Sequence, residues 1–137
     1  MVIRITADDD LTKQTGIQKA LQVIHQYDGL PILVWVSIPC TGGSSWQHIN
    51  RASGKCNVAA INAHIALYRV LMQSVATVVR VAHAHGAVTA VEWPRRCLYW
   101  KDAAYVRFAD KYGLQPTHFD GCMFGLTAVG GPHHGAP

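Results

Sequence analysis

The chain has 137 residues, of which 50% are hydrophobic and 15% charged, with a formal net charge of +4. That length points to one domain, whose core can bury roughly two-thirds of the unfolded surface without disulfide or metal staples. The mild basicity falls short of the dense Lys/Arg stripe of a dedicated nucleic-acid binder but leaves nucleic acid open as a partner, and no continuous apolar run approaches the ~20 residues of a membrane span.

Residues 2–6 alternate in polarity and are rich in β-branched side chains, which predicts a short strand. Asp8, Asp9 and Asp10 cannot share a core, so they mark a loop or a helix start, with Asp10 or Thr12 as cap. Ile17, Ala20, Leu21 and Ile24 fall at helical spacing and predict a helix over 13–26, ended by Asp28-Gly29. Residues 30–38 (LPILVWVSI) are almost continuously apolar, as expected of a strand buried on both faces of a parallel sheet. A turn-rich loop follows over 39–45, and 46–57 reads as polar and irregular.

Ile61, Ile65, Tyr68, Leu71, Val75, Val78, Val79 and Ala82 form one apolar stripe, predicting a helix over 59–85 that Gly86 stops. A second buried strand is expected over 87–91 and a shorter helix over 101–112, closed by Gly113. Residues 117–126 read as a last strand with a turn at Asp120-Gly121. Residues 1–128 then make a single α/β domain, and 129–137 a disordered Gly/Pro/His tail. The order β-α-β-α-β-α-β predicts a small three-layer Rossmann-like fold, a mainly parallel sheet of about four strands with helices on its faces. Sites in such sheets form outside the carboxyl ends of the strands, here the loops over 8–12, 39–50 and 92–100.

Those loops hold the residues able to carry chemistry. Cys40 follows a buried strand and precedes a Gly/Ser loop whose amides can cradle an anion or lower a thiol pKa. Its other reading is a small buried thiol. Glu92 ends a strand, where a carboxylate needs a partner or a task; Arg95 and Arg96 are the candidate partners, and proton transfer the candidate task. Gln47, His48 and Asn50 can hydrogen-bond a planar polar ligand or serve as ordinary loop residues. His83 and His85 lie two apart and face different ways, and Cys56 with His64 lacks further ligands, so no metal is expected. The four cysteines include no C-x-x-C pair and the N-terminus shows no leader pattern, which reads as a cytoplasmic chain with free thiols. The low charge content favours extra buried surface, hence a homodimer or higher oligomer.

The run Asp10-Leu11-Thr12, then Pro39-Cys40 with Ser44 or Ser45, then a long helix and Glu92-Trp93-Pro94 resembles the central part of S-adenosylmethionine-dependent DNA cytosine-5 methyltransferases. The resemblance implies that Asp10, Thr12 and Pro39 contact the cofactor S-adenosylmethionine. It also implies that Cys40 is the nucleophile adding to a flipped cytosine and that Glu92 holds the ring; Ser44, Ser45, Gln47, Asn50 and Arg95 are the candidate substrate-binding residues in these loops. The family's glycine-rich first motif has no counterpart, and Trp93 stands where the family carries asparagine, so the implied protein is a truncated or inactive form. Two other classes fit the same residues. One is a non-enzymatic homo-oligomeric binding module, and the other a thiol enzyme using Cys40 with His48 as base.

Overall fold

The computed structural model describes residues 1–54 and 57–119. It is mostly helical, and this overturns the expected four-strand, three-layer Rossmann-like sheet. The elements in chain order are α1 (Gln14–Gln26), β1 (Leu33–Val36), α2 (Trp46–Ala52), α3 (Val58–Ala84), β2 (Val88–Val91) and α4 (Ala103–Tyr112), with single 3-10 turns at Ala7–Asp9, Thr41–Gly43 and Leu98–Lys101. Among the described residues the sheet has two strands. They run parallel, with Leu33 opposite Val88 and Val36 opposite Val91.

The expected helices form, but the strands shrink. Residues 2–6 have the alternation of a strand yet belong to none; they line a groove beside β1 without any backbone hydrogen bond to it. Alternation supplies the pattern of a strand, but only a ladder makes one. The apolar run over 30–38 yields four residues of strand, and that strand is not buried on both faces. Val36 is buried and Val34 packs on the core, whereas Leu33 and Trp35 point to the other face and are 59% and 54% exposed. Their neighbour on β2, Val88, is 62% exposed. Helices cover one side of this sheet, and a run of apolar residues does not say how many sides are covered.

Two further expectations change. Residues 46–52, read as irregular, form α2. Neither Asp10 nor Thr12 caps α1; Lys13 occupies the cap position with no side-chain bond. The expected strand over 117–126 is absent at 117–119, and its remainder, like the tail over 129–137, lies outside the described residues.

The core is built around α3, a 27-residue helix started by the Asn57 side chain, which accepts from Ala60 N at 3.1 Å. By length and mean hydropathy (1.4 over its best window) α3 is the one described helix that meets the requirements of a membrane span. In this fold it is the central scaffold: α1, both strands, the Thr41–Gly43 turn and α4 all pack against it. Its buried residues Tyr68, Met72, Val75 and Val79 meet Val36 from β1, Trp93 and Cys97 from the loop after β2, Tyr99 from the Leu98–Lys101 turn, and Tyr105 and Phe108 from α4. α4 is capped firmly: the Asp102 carboxylate accepts from Ala104 N at 3.0 Å, and Gly113 closes the other end at φ 64°, a conformation that favours glycine.

Candidate functional site

Parallel pairing of β1 and β2 brings their carboxyl ends to the same side, so the loops after them meet there. Two bonds join them. Glu92 N donates to the Val36 carbonyl at 2.9 Å, continuing the ladder one step. The Trp93 indole N–H then crosses to the Ile38 carbonyl at 2.8 Å. Trp93 is buried with its ring edge-on to Tyr68, Tyr99, Trp100 and Tyr105. The residue that departs from the methyltransferase pattern is thus the one that fastens the two loops together.

Glu92 and Cys40 occupy different surroundings. The Glu92 carboxylate is exposed and accepts from the Trp35 indole N–H at 3.2 Å, on the open face of the sheet. Neither Arg95 nor Arg96, both exposed, pairs with it among the described residues. Cys40 is half-buried and packs on the core cluster that includes Cys97 and Tyr99. Thr41, Gly42 and Gly43 after it do not form an open amide cradle. Gly43 N is committed to the Cys40 carbonyl at 2.9 Å and Ser44 N to Thr41 at 3.3 Å. Both glycines are buried against Tyr99, and a Cβ on Gly42 would run into the Tyr99 hydroxyl and into Ile65 at 3.0 Å. These glycines serve close packing of backbone on ring.

The remaining candidates scatter along the loops. Pro39 is exposed beside Cys40. Ser44 Oγ accepts from Trp46 N at 3.4 Å, Gln47 reaches back to the Thr41 carbonyl at 3.3 Å, and Ser45 precedes α2 without a capping bond. Asn50 is exposed on α2, the helix that also carries the His48 backbone. Asp10 sits in the left-handed region at φ 47°. Its carboxylate binds the Thr12 hydroxyl and backbone and pairs with Lys13 at 2.9 Å, and those bonds, the Thr12 hydroxyl first, hold it below the usual carboxylate range. His83 contacts Thr89 and Tyr112, and His85 pairs with Asp28 at 2.6 Å. Among the described residues no group of three metal-ligating side chains converges.

Three residues that the sequence did not single out for function matter here. Tyr99 stacks on Tyr68 with centroids 3.6 Å apart, and burial, reinforced by the nearby Cys97 and Cys40 thiols, pushes its hydroxyl up to about 12. Cys97 lies against the Cys40 turn. Trp35 is the exposed aromatic of the open face. The density of aromatic residues over 93–112 was the available signal for Tyr99; nothing in the uniform run of β1 marked Trp35. No family model, curated protein or solved structure matches this chain.

Proposed function

We propose that this chain is a self-associating interaction module whose association surface is the open β1 side of its sheet. The observation that carries this reading is the side-by-side exposure of Leu33, Trp35 and Val88 on a sheet face that no described element covers. A groove of about 670 Å³ continues that surface around the unpaired edge of β1, between it and residues 1–6, and adds the exposed Val2, Ile3 and Leu30. Unpaired strand edges and contiguous apolar surface are the features that pairing with a second chain removes from water. The occupant that suits an apolar, nearly uncharged face is a second copy of this chain in a two-fold arrangement, each copy presenting the same surface. Free thiols at Cys40 and Cys97 accord with a cytoplasmic setting.

Light scattering coupled to size exclusion tests this. The expected result is a dimer or larger species that Trp35→Lys converts to a monomer with an unchanged helical circular dichroism spectrum, since Trp35 is not a core residue. A chain that stays monomeric at millimolar concentration overturns the reading.

One observation favours a second reading, a truncated or inactive cytosine-5 methyltransferase-like domain. The Cys40 and Glu92 loops do meet at the carboxyl end of the sheet, joined through Trp93 and Ile38. In that reading Cys40 is the nucleophile, Glu92 holds the base, and S-adenosylmethionine lies near Asp10, Thr12 and Pro39. The ligand would have to compete with Thr12 and Lys13 for the Asp10 carboxylate. Calorimetric titration with S-adenosylmethionine decides: saturable heat supports the reading, and neither heat nor a thermal shift at millimolar ligand removes the cofactor from it.

A further inference from the structure

Cys40 and Cys97 come from different strand-end loops, yet one packing unit holds both. Cys40 opens the Thr41–Gly43 turn, whose closing bond runs from Gly43 N to the Cys40 carbonyl at 2.9 Å. Gly43 is pressed so closely on the second loop that a Cβ there would sit 3.0 Å from Cys97 Sγ and 2.9 Å from Tyr99 Cγ. Cys97 is fixed in turn by its own amide, which donates to the Pro94 carbonyl at 2.8 Å. The Trp93–Ile38 bond locks the two loops together one step nearer the sheet. Burial pushes the Cys97 thiol up, partly offset by the hydrogen bond from the Tyr99 backbone, and the nearby Cys40 adds to the rise. Cys40 is half-buried and Cys97 is buried, so a small solute meets Cys40 first.

A second feature points to the same place. The Tyr99 hydroxyl is the one buried side-chain polar atom among the described residues with no hydrogen-bond partner, in a residue only 5% exposed. It lies against Gly42 of the Cys40 turn and interacts electrostatically with both thiols. A buried hydroxyl without a partner is destabilising, and this one is free to donate to an oxygen atom placed beside it.

We propose that Cys40 is a peroxide-reactive thiol and that Cys97 resolves it to an intramolecular disulfide, with Tyr99 as a positioning residue that donates to the oxygen carried transiently on Cys40. In the first step the Cys40 thiolate attacks one oxygen of a hydroperoxide. The O–O bond breaks, and the departing hydroxide takes a proton and leaves as water when the oxidant is hydrogen peroxide. Cys40 is now a sulfenic acid. In the second step Cys97 sulfur displaces the hydroxyl from Cys40 sulfur; that hydroxyl leaves as water with the Cys97 proton. Two thiols are oxidised to one disulfide and one peroxide is reduced to two waters. The bond ties the β1 loop to the β2 loop from the core side. This proposal does not rest on self-association, because both sulfurs belong to one chain and neither lies on the open face.

The test uses the chain with Cys56→Ser and Cys122→Ser, treated with hydrogen peroxide and mapped by mass spectrometry. The expected product is a linked Cys40–Cys97 peptide within one chain, two hydrogens lighter than its reduced parts and restored by dithiothreitol. Adding Cys97→Ser is expected to leave a Cys40 sulfenic acid that dimedone captures, and Tyr99→Phe to reduce that capture several-fold without changing which cysteine is labelled. The proposal is overturned if Cys40 passes to sulfinic acid while Cys97 stays reduced, if both thiols survive peroxide that oxidises free cysteine, or if the link forms between chains. Equal dimedone capture with Tyr99→Phe removes Tyr99 from its role.

Discussion

Trp93→Ala is expected to destabilise the chain by about 3–5 kcal/mol, the range for removing a buried Trp or Phe from a core. Two contributions combine. The indole fills the centre of the aromatic cluster, touching the rings of Tyr68, Tyr99, Trp100 and Tyr105. Its N–H is also the only side-chain bond between the loop after β1 and the loop after β2 among the hydrogen bonds of the described residues that reach Ile38. The first contribution is the larger, since a net hydrogen bond is worth about 0.5–1.5 kcal/mol. Trp93→Phe separates them: it keeps most of the ring and loses the bond to the Ile38 carbonyl, so about 1–2 kcal/mol is expected. Urea unfolding followed by circular dichroism measures both. A Trp93→Ala loss below about 1 kcal/mol would show that other contacts hold the two loops in place.

Gly16→Ala is the second large effect, and its sign is opposite to the usual one. In a helix interior alanine is normally better than glycine by roughly 0.5–1 kcal/mol. Here Gly16 is buried in α1 beneath the turn that precedes it. A Cβ at this position would overlap the Asp9 carbonyl oxygen and sit 2.5 Å from the Asp10 carbonyl oxygen and 2.7 Å from its carbon. These are backbone atoms and cannot swing aside as a side chain can. The turn is itself tied down, by the Thr6–Asp9 capping box and by the Lys19–Asp9 and Lys13–Asp10 pairs. Overpacking of this kind costs about 1–3 kcal/mol and outweighs the propensity gain. The expected result is a lower melting temperature together with shifted amide resonances over residues 8–12, while those of α4 stay put. A stabilised variant would mean that the turn yields freely.

Helices α1, α3 and α4 were legible because an amphipathic helix writes its buried face into the sequence at a fixed period, whereas the short polar α2 was read as irregular. The stripe from Ile61 to Ala82 and the glycine stops at Gly86 and Gly113 translate into α3 and α4 with ends within a residue or two. The sheet was not legible to the same degree. Residues 30–38 are apolar at every position but Ser37, so period two carries almost no contrast, and the sequence cannot distinguish a strand sandwiched between helices from one with Leu33 and Trp35 facing water. Residues 2–6 carry the contrast but lack a ladder, which depends on where a distant strand lies.

Of the site, the sequence supplied the meeting of strand-end loops: a parallel sheet was expected, of about four strands rather than two, and parallel pairing brings the loops after β1 and β2 to one side. The roles inside the loops were not legible. Gly42 and Gly43 suggested an anion cradle, but their space is taken by the Tyr99 ring. Trp93, noted as a departure from a family pattern, is a core residue. Glu92 finds its partner in Trp35 rather than in the arginines three and four residues on. Each of these outcomes depends on which side chain reaches across between loops, and that is decided by packing in three dimensions.

The distribution of the four tryptophans has a practical consequence. Trp35 and Trp46 are exposed, whereas Trp93 is buried and Trp100 partly so, the latter two ring against ring at 4.9 Å. Intrinsic fluorescence of the folded chain is therefore a sum of two optical populations, one red-shifted and open to aqueous quenchers, the other blue-shifted and shielded. An event on the open face of the sheet reads out in the first window, and a rearrangement between the strand-end loops in the second, without any added label.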